Sequence, residues 1–218
     1  MSVDKLREII RLSRRIVFFG GAGVSTASGI PDFRSEGGLY SERFKGLSPE
    51  DILSASYFML HTEDFYDFYR SYMIHPDARP NAVHRYLFEL EKQDKLRGIV
   101  TQNIDGLHQK AGCKTVYELH GSVLRNYCMK CRRFYDLDYI LDESHCRGGV
   151  PICPVCGGTI KPDVVLYEEP LDGDCMDNAV DAIRSADTLI IGGTSLVVYP
   201  AAGRSRSARR AAAGIRKK

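Results

Sequence analysis

Blocks of apolar residues along the chain follow two different spacings, one helical and one continuous. Helical spacing over residues 4–15, at Leu6, Ile9 and Ile10, predicts an amphipathic first helix. The unbroken apolar run at 16–19 (IVFF) then predicts a buried strand, which ends at a cluster of glycines. The segment VSTASGI after the glycines predicts a short helix with a polar first turn.

Strand-like and helix-like blocks then alternate through most of the chain. Residues 98–103, 115–121 and 188–193 predict further strands, with helices over 104–112 and 174–185. Asn81 is the expected N-cap of a helix whose apolar face holds Val83, Leu87 and Leu90. This alternation is typical of an α/β fold with an open parallel sheet.

Two segments interrupt the alternation. Residues 35–75 are rich in Tyr and Phe at helical spacing, which predicts a helical insertion, and residues 123–162 contain paired cysteines. We expect the two insertions to form a smaller domain beside the sheet. The sheet domain then comprises residues 1–34, 76–122 and 163–203.

The composition fits a folded protein that stays in the cytoplasm. The chain has 218 residues, 44% apolar and 27% charged, and contains no apolar run near the ~20 residues of a membrane helix. Its first residues alternate charged and apolar positions, unlike a signal peptide. Seven cysteines in a reducing compartment would be thiols, so we expect no disulfide framework. Because no apolar run is long enough to span a membrane, we also expect no membrane partner.

The paired cysteines predict one structural zinc ion. The spacing Cys128-x-x-Cys131, 21 residues, Cys153-x-x-Cys156 matches a four-thiolate zinc ribbon. Four thiolates complete the tetrahedral coordination and leave no position for water, so the ion would be structural. Reactive thiols are the alternative interpretation.

The glycine cluster is a weak indication of phosphate binding when it is taken alone. Gly21-x-Gly23-x-x-Thr26 lacks the third small residue of the dinucleotide fingerprint, which disfavours an ordinary nicotinamide dehydrogenase. A tight strand-to-helix turn explains the cluster equally well. However, polar residues follow several predicted strands, and parallel strands place their carboxyl ends at one edge.

Six motifs in order over about residues 5–203 resemble the sirtuins, the NAD-dependent protein deacylases. They are GAGVSTASGIPDFR, TQNIDGLH, LHG, the two cysteine pairs, KPDVVLYEE and GGTSLVVYPAA. The resemblance implies a Rossmann-like sheet and a protein-lysine deacetylase that consumes NAD and releases nicotinamide and O-acetyl-ADP-ribose. It also implies acyl-lysine proteins or peptides as substrates.

The resemblance also implies the roles of individual residues. His120 would be the general base, and imidazole suits that role because its ordinary pKa lies near neutrality. Val164, Val165, Leu166 and Tyr167 would bind the peptide by backbone pairing, although they could equally be a core strand. The residues implied for NAD binding are Gly21, Ala22, Gly23, Ser25, Thr26, Asp32, Phe33, Arg34, Gln102, Asn103, Ile104, Asp105, Gly193, Thr194 and Ser195.

One hint concerns the acyl group. Sirtuins that prefer acidic acyl groups carry Tyr-x-x-Arg in the helical insertion, where this chain has Tyr66-Asp67-Phe68-Tyr69. We therefore expect deacetylation, although Arg70, one position further on, leaves acidic acyl groups open.

The chain departs from the sirtuin pattern after Gly203. Residues 204–218 contain seven Arg or Lys and no acid, so the net charge of +2 becomes −5 without them. We expect a truncated or altered sirtuin ending; a helical cap and a basic arm that binds nucleic acid nonspecifically are the alternatives. A catalytically impaired module that binds NAD or peptide, a mono-ADP-ribosyltransferase and a zinc-ribbon nucleic-acid binder remain as other functions.

Overall fold

The structure is a computed structural model that describes residues 2–33, 35, 37–41 and 43–195. The expectations for Arg34 and for the basic residues 204–218 lie outside these described residues. Within them, no helix has the length and apolar character needed to cross a membrane.

The sheet domain is built on four parallel strands in the order β3-β2-β1-β9. The strands are β1 (Ile16–Gly20), β2 (Leu96–Thr101), β3 (Val116–Glu118) and β9 (Thr188–Gly192). Gly20 lies beside Thr101 on one side and Gly192 on the other, so three strands end at the same level. The predicted α/β fold with a parallel sheet is confirmed, and its carboxyl edge gathers the residues that follow these strands.

Helices cover both faces of this sheet, which is why β1 is apolar at every position before Gly20. Ile16 and Phe18 pack with α1 (Val3–Leu12) and α5 (Ala82–Lys92) on one face. Val17 packs with α8 (Gly173–Ser185) on the other, where Ala179 is buried. The short α6 (Leu107–Lys110) follows β2.

The smaller domain combines the two insertions around one core. The helical insertion forms α2 (Pro49–Ile52), α3 (Ala55–Leu60), α4 (Thr62–Phe68) and a π-helical turn, Tyr69–Met73. The cysteine-rich insertion contributes β5 (Phe134–Tyr135), α7 (Leu137–Leu141), β6 (Cys146–Arg147) and β7 (Val150–Pro151). Strand β4 (Gly121–Cys128) pairs with β5 and antiparallel to β8 (Ile160–Val164). Buried aromatic residues of the first insertion, such as Phe65, share a core with Ile160 and Cys153.

Two local predictions were wrong. The segment after the glycines forms two separate 3-10 helices, Ala22–Val24 and Thr26–Ser28, and not one continuous helix. The carbonyl of Val24, which would accept an α-helical bond from the amide of Ser28, accepts one from the side chain of Asn81 instead, at 2.7 Å.

The second error concerns the buried face of α5. Asn81 is its N-cap as predicted, but Val83 is exposed and His84 is buried. The Nδ1 atom of His84 accepts a hydrogen bond from the Asn81 amide, and its ring packs 4.7 Å from the ring of His108. These contacts turn the His84 side of the helix toward the sheet.

Candidate active site at the carboxyl edge of the sheet

A cavity of about 860 Å³ opens where the parallel strands end and the smaller domain begins. The sheet contributes the turn after β1, residues 102–107 after β2, His120 after β3 and residues 193–195 after β9. The opposite wall includes Leu53 of the smaller domain and the segment that follows β8. The cavity therefore lies between the two halves of the molecule.

The glycines after β1 are required by the neighbouring chain. A Cβ atom on Gly21 would lie 2.7 Å from Thr194 Cβ, and one on Gly23 would lie 3.0 Å from Gly193 Cα. The amide of Gly23 also donates to the carbonyl of Gly193 at 2.9 Å. Close approach of two chain segments, both at the cavity, thus explains why glycine stands at these positions.

A hydrogen-bonded group of three polar side chains lies at the base of the cavity. The Ser25 hydroxyl donates to Asp105 Oδ2 at 2.6 Å and accepts from Asn103 Nδ2 at 3.0 Å. Asp105 Oδ1 accepts from the Leu107 amide at 2.9 Å, which fixes the carboxylate. Ser25 and Asn103 are buried, so this network is rigid and holds the Asn103 amide and Asp105 carboxylate in defined orientations.

Gln102 connects two strand ends across β1. Its Oε1 atom accepts a hydrogen bond from the Thr194 hydroxyl at 2.9 Å, and its amide donates to the carbonyl of Gly20 at 3.0 Å. These two hydrogen bonds hold Thr194 and the end of β1 against Gln102.

The His120 side chain is held in one tautomer. Its Nδ1 atom lies 2.9 Å from the carbonyl oxygen of Gln102, and a carbonyl can only accept, so Nδ1 carries the proton. In the neutral ring Nε2 is then the basic nitrogen. Burial lowers the pKa of His120 from its ordinary value, and the hydrogen bond to Gln102 opposes this shift.

The next residue, Gly121, allows the chain to enter β4. It has a φ of +74°, and a Cβ atom there would lie 1.9 Å from the carbonyl oxygen of Asp163. Beside this turn, Arg125 donates to Glu118 at 2.6 Å and to Asp163 at 2.7 Å, joining β3, β4 and β8. Sequence reasoning missed Arg125, because nothing along the chain indicates partners 7 and 38 positions away.

The segment Val164–Tyr167 begins at the last residue of β8 and forms one wall of the cavity. The Val165 amide donates to the His120 carbonyl at 3.0 Å, so the polar groups of residues 164 and 166 face the opposite side. There Lys161 Nζ donates to the Val164 carbonyl at 3.1 Å, and the Leu166 amide donates to Glu169 at 2.9 Å. An ion pair of 3.0 Å between Lys161 and Glu169 therefore covers this backbone edge.

Asp32 and Phe33 lie at the mouth of the cavity, where the carbonyl of each accepts a backbone hydrogen bond. Leu39 donates to Asp32 and Tyr40 donates to Phe33, both at 2.9 Å. The Tyr40 hydroxyl in turn bonds the Tyr167 hydroxyl. Sequence analysis gave no role to Tyr40, whose partner is far away in the chain.

Four cysteine sulfurs gather in the smaller domain as predicted. The Sγ atoms of Cys128, Cys131, Cys153 and Cys156 all lie within 4.8 Å of one another. Two of the separations are 3.4 Å (Cys128 to Cys156) and 3.6 Å (Cys131 to Cys153), close to the edge of about 3.8 Å in a zinc tetrathiolate with 2.3 Å bonds. The Tyr135 hydroxyl lies 2.9 Å from Cys153 Sγ. The donor set fits one zinc ion.

Arg70 is engaged away from the cavity. Its guanidinium donates to the carbonyls of Ile140 at 3.1 Å and Gly149 at 2.7 Å. Tyr66, whose hydroxyl donates to the Ile160 carbonyl, and Tyr69 also lie outside the cavity lining. Arg70, Tyr66 and Tyr69 therefore make contacts within the smaller domain and do not line the cavity.

Most of the predicted site residues come together at this cavity. Thr26 is an exception, because it is exposed, does not line the cavity and donates to the Gly23 carbonyl at 3.1 Å. Gly21 is buried behind the lining. The predicted residues in the lining are Ala22, Gly23, Ser25, Asp32, Phe33, Gln102, Asn103, Ile104, Asp105, His120, Val164, Val165, Leu166, Tyr167, Gly193, Thr194 and Ser195.

Known proteins are similar to this chain in sequence. A model of the Sir2 family matches residues 21–200. A Clostridium perfringens protein named NAD-dependent protein deacetylase is 59% identical over 202 residues, covering 92% of this chain and 81% of its own. A Clostridium tetani protein of the same name is 61% identical over 198 residues, or 90% of this chain and 79% of its own.

Solved structures of Sir2 proteins are also similar to this chain. A Sir2 variant with a deacetylated p53 peptide and 3′-O-acetyl-ADP-ribose has a TM-score of 0.83 at 36% identity, over 97% of this chain and 84% of its own. A second Sir2 protein, bound to a propionylated peptide, has a TM-score of 0.78 at 37% identity, over 92% of this chain and 79% of its own.

Proposed function

The chain belongs to the Sir2 family, and on this premise we propose that it is an NAD-dependent protein-lysine deacetylase. The observation that carries the proposal is the single cavity in which His120, the Ser25–Asp105–Asn103 network and the segment Val164–Tyr167 meet. A base, a polar binding group and a peptide wall are the three parts that such a reaction needs in one place.

NAD is consumed as a co-substrate in the proposed reaction. The acetyl-lysine oxygen displaces nicotinamide from C1′ of the ribose, and a ribose hydroxyl then bonds the acetyl carbon. One water molecule adds to that carbon as the lysine amine leaves, so the products are free lysine, nicotinamide and O-acetyl-ADP-ribose. His120 accepts the proton of that hydroxyl at Nε2, because Nδ1 already donates to Gln102. The reaction is thus a group transfer.

The polar network is proposed to orient the nicotinamide half of NAD. The Asn103 amide and the Asp105 carboxylate can pair with a carboxamide, and Ser25 holds both in place. Gln102 would contact the ribose. Ala22, Gly23, Thr194 and Ser195 would line the phosphates, and Asp32, Phe33 and Arg34 would cover the co-substrate.

The peptide is proposed to pair along the edge of residues 164–167. The Val164 carbonyl and the Leu166 amide face that edge and are covered by the side chains of Lys161 and Glu169. A peptide backbone would take the place of these side chains on the same two groups, which anchors an acyl-lysine beside His120.

Zinc, held by the four cysteines, would crosslink the cysteine-rich insertion and has no part in proton transfer. Thiolate ligands require reduced cysteines, and all seven cysteines are unpaired, which favours a cytoplasmic location.

We also propose the domain limits 1–34, 76–122 and 163–203 for the sheet and 35–75 with 123–162 for the smaller domain, supported by the core that the insertions share.

The proposal is tested by mass spectrometry of an acetyl-lysine peptide incubated with the chain, with and without NAD. We expect the peptide to lose its acetyl group only when NAD is present. A His120→Ala variant that still binds NAD should leave the acetyl group in place. Absence of turnover by a folded, zinc-loaded sample would contradict the proposal and favour a binding module. ADP-ribose attached to protein would indicate a mono-ADP-ribosyltransferase.

A further inference from the structure

Tyr40 and Tyr167 connect two parts of the site that are far apart in the chain. Their hydroxyl groups are hydrogen-bonded across 127 positions. The ring of Tyr40 also packs edge-on against the ring of Phe33, with 5.4 Å between the centroids. A continuous set of contacts therefore runs from Phe33, at the mouth of the cavity, to the wall proposed to bind the peptide.

The Tyr167 end of these contacts is firmly supported by the smaller domain. The Tyr167 amide donates to the Leu53 carbonyl and its carbonyl accepts from the Ala55 amide, both at 2.9 Å. Leu53 and its neighbour Ile52 are buried in the core of that domain. The Tyr167 ring is thus a fixed partner for a side chain that reaches it from the other side of the cavity.

The Phe33 end contacts Tyr40 and also packs against the core of the smaller domain. The Tyr40 amide donates to the Phe33 carbonyl at 2.9 Å, and the two rings are in contact. Phe33 and Tyr40 are therefore in direct contact, and the hydroxyl of Tyr40 is the point at which this pair bonds the wall. Its hydrogen bond to Tyr167 connects the Phe33 ring, through Tyr40, to the wall of the cavity.

We propose that Tyr40 and Tyr167 are positioning residues that hold Phe33 over the reacting ribose and keep water from it. This inference rests on the proposed function. When the C1′–N bond breaks, its electron pair leaves with nicotinamide. Water that reaches C1′ forms a C1′–O bond, loses a proton to solvent and yields ADP-ribose, so nicotinamide is released and no lysine is freed.

The first experiment compares nicotinamide released with lysine freed, in the wild type and in the Tyr40→Phe, Tyr167→Phe and double variants. We expect the excess of nicotinamide over lysine to rise roughly fivefold in each single variant, the effect of one lost hydrogen bond. The double variant should rise no further, because each single change already removes the shared contact.

A matched control is Tyr57→Phe, which removes a tyrosine hydroxyl bonded to Asp64 in the same domain and away from Phe33. Its excess of nicotinamide should equal that of the wild type. An unchanged excess in both single variants would overturn the inference. So would a double variant whose increase is the product of the two single increases.

The second experiment does not depend on turnover. Amide hydrogen exchange at Leu39 and Tyr40, whose N–H groups bond Asp32 and Phe33, should accelerate severalfold in Tyr167→Phe and stay unchanged in Tyr57→Phe. Unchanged exchange in Tyr167→Phe overturns the inference even if the wild type fails to deacetylate. Failure of the proposed function is distinct, since it shows as no deacetylation by the wild type.

Discussion

The Nδ1 atom of His120 lies 2.9 Å from the carbonyl oxygen of Gln102, the residue that follows β2. The bond assigns the proton of the neutral ring to Nδ1 and leaves Nε2 as the base. It also joins the end of β3 to the end of β2, so the geometry of the base depends on the sheet register.

This environment predicts the pH dependence of the reaction. Burial lowers the pKa of His120 from its ordinary value of 6.5, so the ring stays neutral, and able to accept a proton, to lower pH than a free imidazole does. We expect kcat/KM to fall on the acid side as the ring is protonated, with the midpoint of this fall below pH 6.5. A pH profile measures this, and an acid limb centred above 6.5 would contradict it.

His120→Ala should lose roughly 100- to 10,000-fold in kcat.

The turn after His120 predicts a strong dependence on glycine. Gly121→Ala places a methyl group 1.9 Å from the Asp163 carbonyl, so we expect a loss of about 3 kcal/mol or more in the free energy of unfolding, or failure to fold. Gly149→Ala is the matched control, with a φ of +76° and no atom within 4 Å of the added carbon. It should cost about 1–2 kcal/mol from backbone strain alone. Equal losses in urea denaturation would refute the role assigned to Asp163.

The contact between Tyr135 and the cysteine cluster predicts an effect on zinc affinity. The Tyr135 hydroxyl lies 2.9 Å from Cys153 Sγ, and it would donate to that sulfur when it is a zinc-bound thiolate. Tyr135→Phe removes that hydrogen bond from a thiolate, and we expect zinc affinity to fall about 10- to 100-fold. Competition with a colorimetric chelator measures the affinity. Tyr139→Phe, which loses a hydroxyl bond to the Ile152 carbonyl, should retain wild-type affinity. The same affinity in both variants would show that Tyr135 does not support the site.

The position of Arg70 predicts the acyl preference. Its guanidinium is bonded to the carbonyls of Ile140 and Gly149, so it does not meet an acyl carboxylate in the cavity. We expect kcat/KM for an acetyl-lysine peptide to exceed that for the matching succinyl-lysine peptide by at least about tenfold, since an unpaired carboxylate is costly to bury. Arg70→Ala should lower stability and leave this ratio unchanged. A selective loss of succinyl turnover in Arg70→Ala would show that the guanidinium reaches the acyl group.

Local patterns in the sequence were enough to predict the parallel sheet, the N-cap at Asn81 and the four-cysteine cluster. Each depends on spacing over a few residues: an apolar run buried on both faces, an amide-bearing side chain before a helix, and two cysteines on one tight turn. The turn after β1 was mispredicted because Asn81, which lies more than fifty positions away, takes the Val24 carbonyl. No periodicity within VSTASGI carries that information.

By itself, the sequence determined the order of the elements, the family and the residue types present at the site. The tertiary structure alone decided which atoms meet: the Nδ1 proton of His120 facing Gln102, Arg125 between Glu118 and Asp163, Arg70 bonded away from the cavity, and Tyr40 against Tyr167. The physical reason is one of range. Helix and strand patterns repeat within a few residues, whereas hydrogen-bond partners across a cavity are set by packing between segments that the chain brings together only after it folds.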